Sequence, residues 1–176
     1  MFQTNSFIKG LSIVVLFSFI TFIENINNTT IKTITINKPT ASDFEVIKKT
    51  IKEFDLDNRD LQVNQFLVAK QNNVLLGFGR IRKHVGCDEF CSLGVLKEKR
   101  FNGIAKLLIE ARIKIATQPI YLVCITPKYF ESLGFVVADK FPKEMTDKLN
   151  YCTAELAVPE KYVVMKYEGI KSNGND

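Results

Sequence analysis

The chain is poor in several residue types on which common chemistries depend. Its 176 residues include one histidine, so a His-rich metal site is excluded and a Ser-His-Asp hydrolase would have to hang on His84 alone. The 4 cysteines form no CxxC pair. Cys91 and Cys124 fall inside strongly apolar runs, and the set reads as buried structural thiols rather than a disulfide framework. A zinc site using Cys87, Cys91 and His84 is the weaker alternative. Reduced thiols fit a domain that faces cytosol or an organelle matrix. With 9 Gly and 5 Pro the chain is neither collagen-like nor low in complexity. It also lacks a long basic run. Lys+Arg 24 against Asp+Glu 19 gives a formal charge of +5, which suits an anionic small ligand but leaves no footprint for nucleic acid. The remainder, 46% hydrophobic and 24% charged, describes one ordinary globular domain able to bury a core.

A full-length transmembrane run is missing too. Phe7 to Ile23 reads FIKGLSIVVLFSFITFI, and its uncharged part, from Leu11 to Ile23, is shorter than the roughly 20 residues a spanning helix needs. It reads as a candidate membrane anchor or signal anchor; a cleaved signal, a buried N-terminal helix and a misassigned start are the alternatives. No A-x-A-like cleavage site follows. Lys9 lies before the segment and Lys32 and Lys38 after it, so charge hardly orients it. Asn27-Asn28-Thr29 and Asn28-Thr29-Thr30 match the glycosylation pattern but read more simply as an Asn/Thr-rich linker. The expected location is accordingly either membrane-anchored through residues 7–23 with the domain facing the cytosol, or cytoplasmic.

Beyond this leader, residues 1–30, the pattern is that of a single folded unit over 31–168 and a polar tail over 169–176. Ile31 to Ile36 alternates like a half-buried strand. Ser42 and Glu45 form a capping-box pattern ahead of Phe44, Ile47, Ile51 and Phe54 at helical spacing. Phe66–Ala69 and Val74–Ile81 flank Gln71-Asn72-Asn73, a hairpin signal. A strand over Glu89–Leu96 completes a meander. Arg100 to Ala116 reads as a helix with Ile104, Leu107, Leu108, Ala111 and Ile115 on one face. Pro119 closes it before the apolar strand Ile120–Ile125. A short helix from Lys128 to Leu133 stops at Gly134, and Phe135–Ala138 and Tyr162–Tyr167 are the last strands. This order predicts an α/β (mixed α+β) fold: a central mixed, mostly antiparallel twisted sheet with helices on both faces.

Chemistry concentrates in Leu93 to Ala105: an apolar strand, a basic turn, then a helix whose first turn holds Gly103 and Ala105. A helix start offers unpaired N–H groups and the positive end of the dipole, which attract phosphate. Small residues let an anion approach the main chain, and Arg100 can add a charge-assisted contact.

Here the chain resembles the GNAT superfamily of N-acetyltransferases. The signature [Q/R]-x-x-G-x-[G/A] is matched by Arg100-Phe101-Asn102-Gly103-Ile104-Ala105. A second landmark, an aromatic pair followed by E-x-L-G-F, is matched by Tyr129-Phe130-Glu131-Ser132-Leu133-Gly134-Phe135. The resemblance spans roughly residues 31–167. It implies a domain that binds acetyl-CoA as co-substrate, without a metal, and passes the acetyl group to a primary amine of a small molecule or peptide. Backbone groups of Gly94, Val95 and Leu96 would pair with the pantetheine arm, and N–H groups from Arg100 through Phe101, Asn102, Gly103, Ile104 and Ala105 would hold the diphosphate. Glu89, with Asp88 as its possible substitute, is the base candidate. Phe130 stands where the family often has a tyrosine, so either Tyr129 is the acid, or the thiolate leaves unassisted with help from solvent, or activity is impaired. The segment from Phe141 to Met165 resembles the tail of some small amino-acid acetyltransferases, which favours a free amino acid or small amine. The alternative is a catalytically silent acyl-CoA-binding module on the same fold.

Overall fold

The computed structural model describes residues 33–156 and 158–169. The candidate anchor Phe7–Ile23, the two Asn-x-Thr sites and most of the polar tail lie outside the described residues, among which no helix is long and apolar enough to cross a membrane. In chain order the elements are β1 (Thr35–Asn37), α1 (Ala41–Glu53), β2 (Phe66–Gln71), β3 (Val74–Lys83), β4 (Asp88–Val95), α2 (Ile104–Ile115), β5 (Ile120–Cys124), α3 (Pro127–Glu131), β6 (Phe135–Val137), α4 (Lys143–Glu155) and β7 (Val163–Tyr167). They form one sheet ordered β1-β2-β3-β4-β5-β7-β6. Only β4 and β5 run parallel, so the expected mixed, mostly antiparallel sheet is present.

Strand alternation distributes the helices. In β2, Val68 packs with Ile47 and Ile51 of α1, whereas its neighbour Ala69 packs with Ile104 and Leu108 of α2. Adjacent strand residues point to opposite faces, so α1 and α2 cover opposite sides of the sheet. At β5 the same alternation sends Tyr121 to Met145 of α4 and Leu122 to Ile109 of α2.

Several boundaries differ from the sequence reading for identifiable reasons. The start of α1 falls earlier than the Ser42/Glu45 pattern suggests: Thr40 is the cap and Asp43 its partner, with Thr40 N–H donating to Asp43 Oδ2 at 2.7 Å. Lys70 of β2, 2.6 Å from the same carboxylate, fixes that choice. Asn72 and Asn73 both take left-handed φ (50° and 63°), the turn that matches strand twist in a two-residue hairpin. In α2 the buried stripe is Ile104, Leu108, Ile109 and Arg112, while Leu107 and Ile115 are exposed. The buried guanidinium of Arg112 donates to the carbonyls of Gln65 and Gly79, a core role that a charged residue does not advertise. The helix α4 is the one element the sequence reading omitted.

Gly94 has a packing requirement of its own. An added Cβ would sit 2.4 Å from Phe78 Cζ, and Phe78 is fully buried against α1. Gly94→Ala is therefore expected to cost about 1–3 kcal/mol through overpacking, read as a lowered urea midpoint at unchanged m-value.

Candidate active site

The sheet opens where β4 and β5 part. They pair only at Asp88 with Ile120 and Glu89 with Tyr121; from Tyr121 onward β5 pairs with β7. Ser92, at φ 47°, bulges β4, and the β3–β4 register shifts between Phe78 and Arg80. A bulge bends and twists its strand, which carries the end of β4 away from β5. Ser92 Oγ donates to Asp57 O at 3.0 Å, tying the bulge to the loop after α1. Arg80, 0% exposed, secures that loop by donating to the carbonyls of Asp57, Arg59 and Asp60 and to Gln65 Oε1.

Two cavities flank the opening and share Phe54 and Leu56. The first, about 940 Å³, is lined by Leu93, Gly94 and Val95 of β4, by Lys99 to Phe101, by Gly103 to Lys106 at the start of α2, and by Tyr129, Ser132 and Leu133. It thus gathers most of the residues the sequence singled out. Gly103, at φ 72°, is the N-cap of α2, and a Cβ placed there meets nothing within 4 Å; the space in front of the helix start is open. Lys99, Arg100 and Lys106 on its wall are cations with no acid among them.

Two of the expected cofactor contacts take other partners. Leu96 N–H donates to Leu76 O at 3.0 Å. In an antiparallel ladder main-chain groups alternate sides, so those of Gly94 also face β3 and those of Val95 face the opening. Neither Leu96 nor Asn102 lines the first cavity. The Asn102 amide braces its own turn through the carbonyls of Lys99 and Arg100. Arg100 spends Nε on Val95 O at 3.3 Å and lies 5.2 Å over the Phe54 ring, leaving its terminal nitrogens for a ligand.

Of the aromatic pair, Phe130 is in the core, 5.8 Å from Phe135 in an edge-on contact. Tyr129 is 40% exposed on the cavity wall. Partial burial raises its pKa, so the phenol is protonated at neutral pH and able to donate.

The second cavity, about 670 Å³, lies between the α1 loop, β4, β5 and α4 and is lined by groups including Asp57, Cys91, Ser92, Cys124, Lys148 and Tyr162. Beneath it sits an ion cluster. Lys148 Nζ is 2.5 Å from Asp57 Oδ2 and 3.1 Å from Glu89 Oε1, although the latter pair is not aligned as a hydrogen bond. Arg59 grips Asp57 through Nε and Nη2, and His84 Nε2 lies 2.9 Å from Glu89 Oε2. Burial would raise the Asp57 carboxyl, but Arg59 and Lys148 outweigh it and hold it well below the usual range. Glu89 is lowered as well: Lys148, the His84 contact and Arg82 overcome its burial. Lys148 is raised: burial pulls it down, but Cys91, Glu89 and Asp57 together outweigh desolvation.

Glu89 is 1% exposed and lines neither of these two cavities. A carboxylate stabilised in its charged form and shielded from the opening is poorly placed to take a proton from an amine. Asp88 is buried too, held 3.5 Å from the Gln118 amide. The sequence reading missed Asp57 and Lys148. Lys148 lies with Met145 and Cys152 on the buried stripe of α4. All four cysteines are free and buried; burial pushes the Cys91 thiol up to about 12. Among the described residues no group of three or more His, Cys, Asp or Glu could hold a metal ion.

The Acetyltransferase (GNAT) family model matches residues 34–135, over half of the chain, and the chain belongs to this family. No curated protein matches it by sequence. Among solved structures it is similar in fold to an N-acetylglutamate synthase from Neisseria gonorrhoeae complexed with coenzyme A and L-arginine, at 17% identity and TM-score 0.61, over 77% of this chain and 33% of that one. This chain thus spans about a third of the synthase's length. A Mycobacterium tuberculosis protein in complex with CoA and NLQ is similar at 16% identity and TM-score 0.64, over 77% and 99% of the two chains. An Arabidopsis thaliana protein with the bisubstrate analogue CoA-Ac-MVNAL follows at 19% identity and TM-score 0.55, over 77% and 98%.

Proposed function

We propose that the protein is an acetyl-CoA-dependent N-acetyltransferase whose acceptor is a primary amine, with a free amino acid or small amine as the favoured class. The observation that carries this reading is the pair of cavities meeting at Phe54 and Leu56, one walled by cations at a helix start and the other reaching the same opening past Ser92. In this reading acetyl-CoA, a thioester of the coenzyme A bound in similar folds, lays its diphosphate on the N–H groups from Gly103 to Lys106. Its pantetheine arm follows the cleft-facing groups of Val95, and its thioester lies where the cavities join.

The acceptor arrives from the second cavity. Its lone pair attacks the thioester carbonyl carbon, the positively charged nitrogen of the tetrahedral adduct gives up its second proton to water, the adduct collapses with cleavage of the C–S bond, and the thiolate takes the phenolic proton of Tyr129, which the released proton restores through water. The ammonium proton leaves to water before attack, since an amine of pKa near about 10 is mostly protonated at neutral pH. Glu89 serves by holding Lys148 and, through it, Asp57 under the acceptor floor. It is a positioning residue rather than the base.

The test uses the full chain. CoA at a hundred times its Kd should stabilise the fold by about 2.7 kcal/mol, seen as a raised Tm. Acetyl-CoA with a panel of amines and amino acids should release free thiol, at a rate that rises with pH toward the acceptor's pKa. Stabilisation without thiol release for any acceptor would leave a silent acyl-CoA-binding module, the reading that buried Phe130 favours. No stabilisation would sink both.

A further inference from the structure

Phe101 is the most conspicuous side chain that neither the core nor the proposed chemistry uses. It is fully exposed, at 104% of its reference area. Its backbone is left-handed, φ 66°, a conformation that is a genuine outlier for a bulky residue. The turn on either side is braced, by Asn102 on the carbonyls of Lys99 and Arg100 and by Arg100 on Val95 O. The strained geometry is therefore built in, and it lifts an aromatic ring to the rim of the first cavity. Lys99, Arg100 and Lys106 stand on the same wall.

We propose that the Phe101 ring is the platform on which the adenine of acetyl-CoA stacks, with Lys99 and Lys106 flanking it for the phosphate on the ribose. This rests on the acetyl-CoA reading above. If the diphosphate lies at the start of α2 and the pantetheine arm runs inward along β4, the nucleoside must leave in the opposite direction, outward past residues 99–101. A purine face is flat and apolar, and an aromatic side chain held clear of its own fold offers it a matching surface without rearrangement.

The experiment compares CoA with 4′-phosphopantetheine, which keeps the arm and one phosphate but lacks the nucleoside, by titration calorimetry on the full chain. Phe101→Ala should weaken CoA about ten-fold and leave phosphopantetheine within about two-fold, the size expected for losing one base stack. Phe101→Gly suits a left-handed φ and serves as backbone control; it should weaken CoA as alanine does. The chain contains no tryptophan, so Phe101→Trp installs a single reporter whose fluorescence CoA should quench and phosphopantetheine should not. Equal weakening of both ligands by alanine, or restoration by glycine, would assign the effect to the backbone and overturn the stacking. So would unchanged CoA affinity in all three variants. A parent chain that binds neither ligand would instead remove the acetyl-CoA reading itself.

Discussion

Lys148→Met is expected to destabilise the protein by about 3 kcal/mol at pH 7, toward the lower end of what breaking a buried ion pair costs. The ammonium is 6% exposed and bridges Asp57 and Glu89, themselves 3% and 1% exposed. Methionine fills nearly the same volume, so the loss isolates charge from packing. Arg59 keeps its two contacts to Asp57, and His84 and Arg82 keep theirs to Glu89. These remaining partners keep the figure near the bottom of the range. The pH dependence has a definite sign. Asp57 and Glu89 are depressed in the folded state, so their contribution is present above their unfolded values near about 4 and is lost as pH falls through the folded ones. Lys148 is raised, so its share is present below about pH 10 and lost as pH rises beyond it. The parent should therefore be most stable between these limbs. In the variant the buried carboxylates gain by protonation, and the deficit against the parent should shrink toward pH 4. Urea midpoints at pH 7 and pH 4.5 check this; an equal deficit at both would mean that the ammonium contributes through packing alone.

The contrast between Lys148 and Gly103 explains what the sequence could and could not disclose. Local signals carried the hairpin at Asn72-Asn73, the apolar β5 and the helix start at Gly103, because each depends on residues adjacent in the chain. They carried the lining of the first cavity for the same reason: β4, the basic turn and α2 are consecutive. The second cavity is assembled from the α1 loop, β4, β5 and α4, with Lys148 and Asp57 separated by 91 positions. Nothing local in Phe141 to Leu156 betrays that a lysine lies at the centre of its buried stripe, and a stripe of Met145, Lys148 and Cys152 reads as too polar for a core helix. Arg112 defeated the reading of α2 in the same way, since its burial depends on carbonyls of Gln65 and Gly79. Glu89 was found as a notable carboxylate, but its cation partners come from β3 and α4. Those partners, invisible along the chain, turn a candidate base into a stabilised anion.

Gly103→Glu should abolish CoA binding, with an affinity loss of at least about 100-fold, the scale of placing like charges together at a desolvated contact. Two effects of the change can be separated. Any L residue at Gly103 must adopt φ 72°, a left-handed conformation that strains every side chain but glycine. Space is not the difficulty, because a Cβ there meets nothing within 4 Å. Gly103→Ala carries the strain without the charge; that strain, about 1–2 kcal/mol, falls on stability, and CoA affinity should drop only a few-fold. Glutamate adds a carboxylate where the helix start and Lys99, Arg100 and Lys106 concentrate positive potential. It would be attracted into the place the diphosphate needs, satisfying those donors itself and repelling the ligand. The fold should tolerate it, since an acid near a helix N-terminus is favourable, so thermal stability without ligand should stay near that of the alanine variant while the CoA-induced rise in Tm disappears. If the glutamate variant gained as much from CoA as the alanine variant, the diphosphate would have to sit elsewhere, and the assignment of the first cavity to the cofactor would fall.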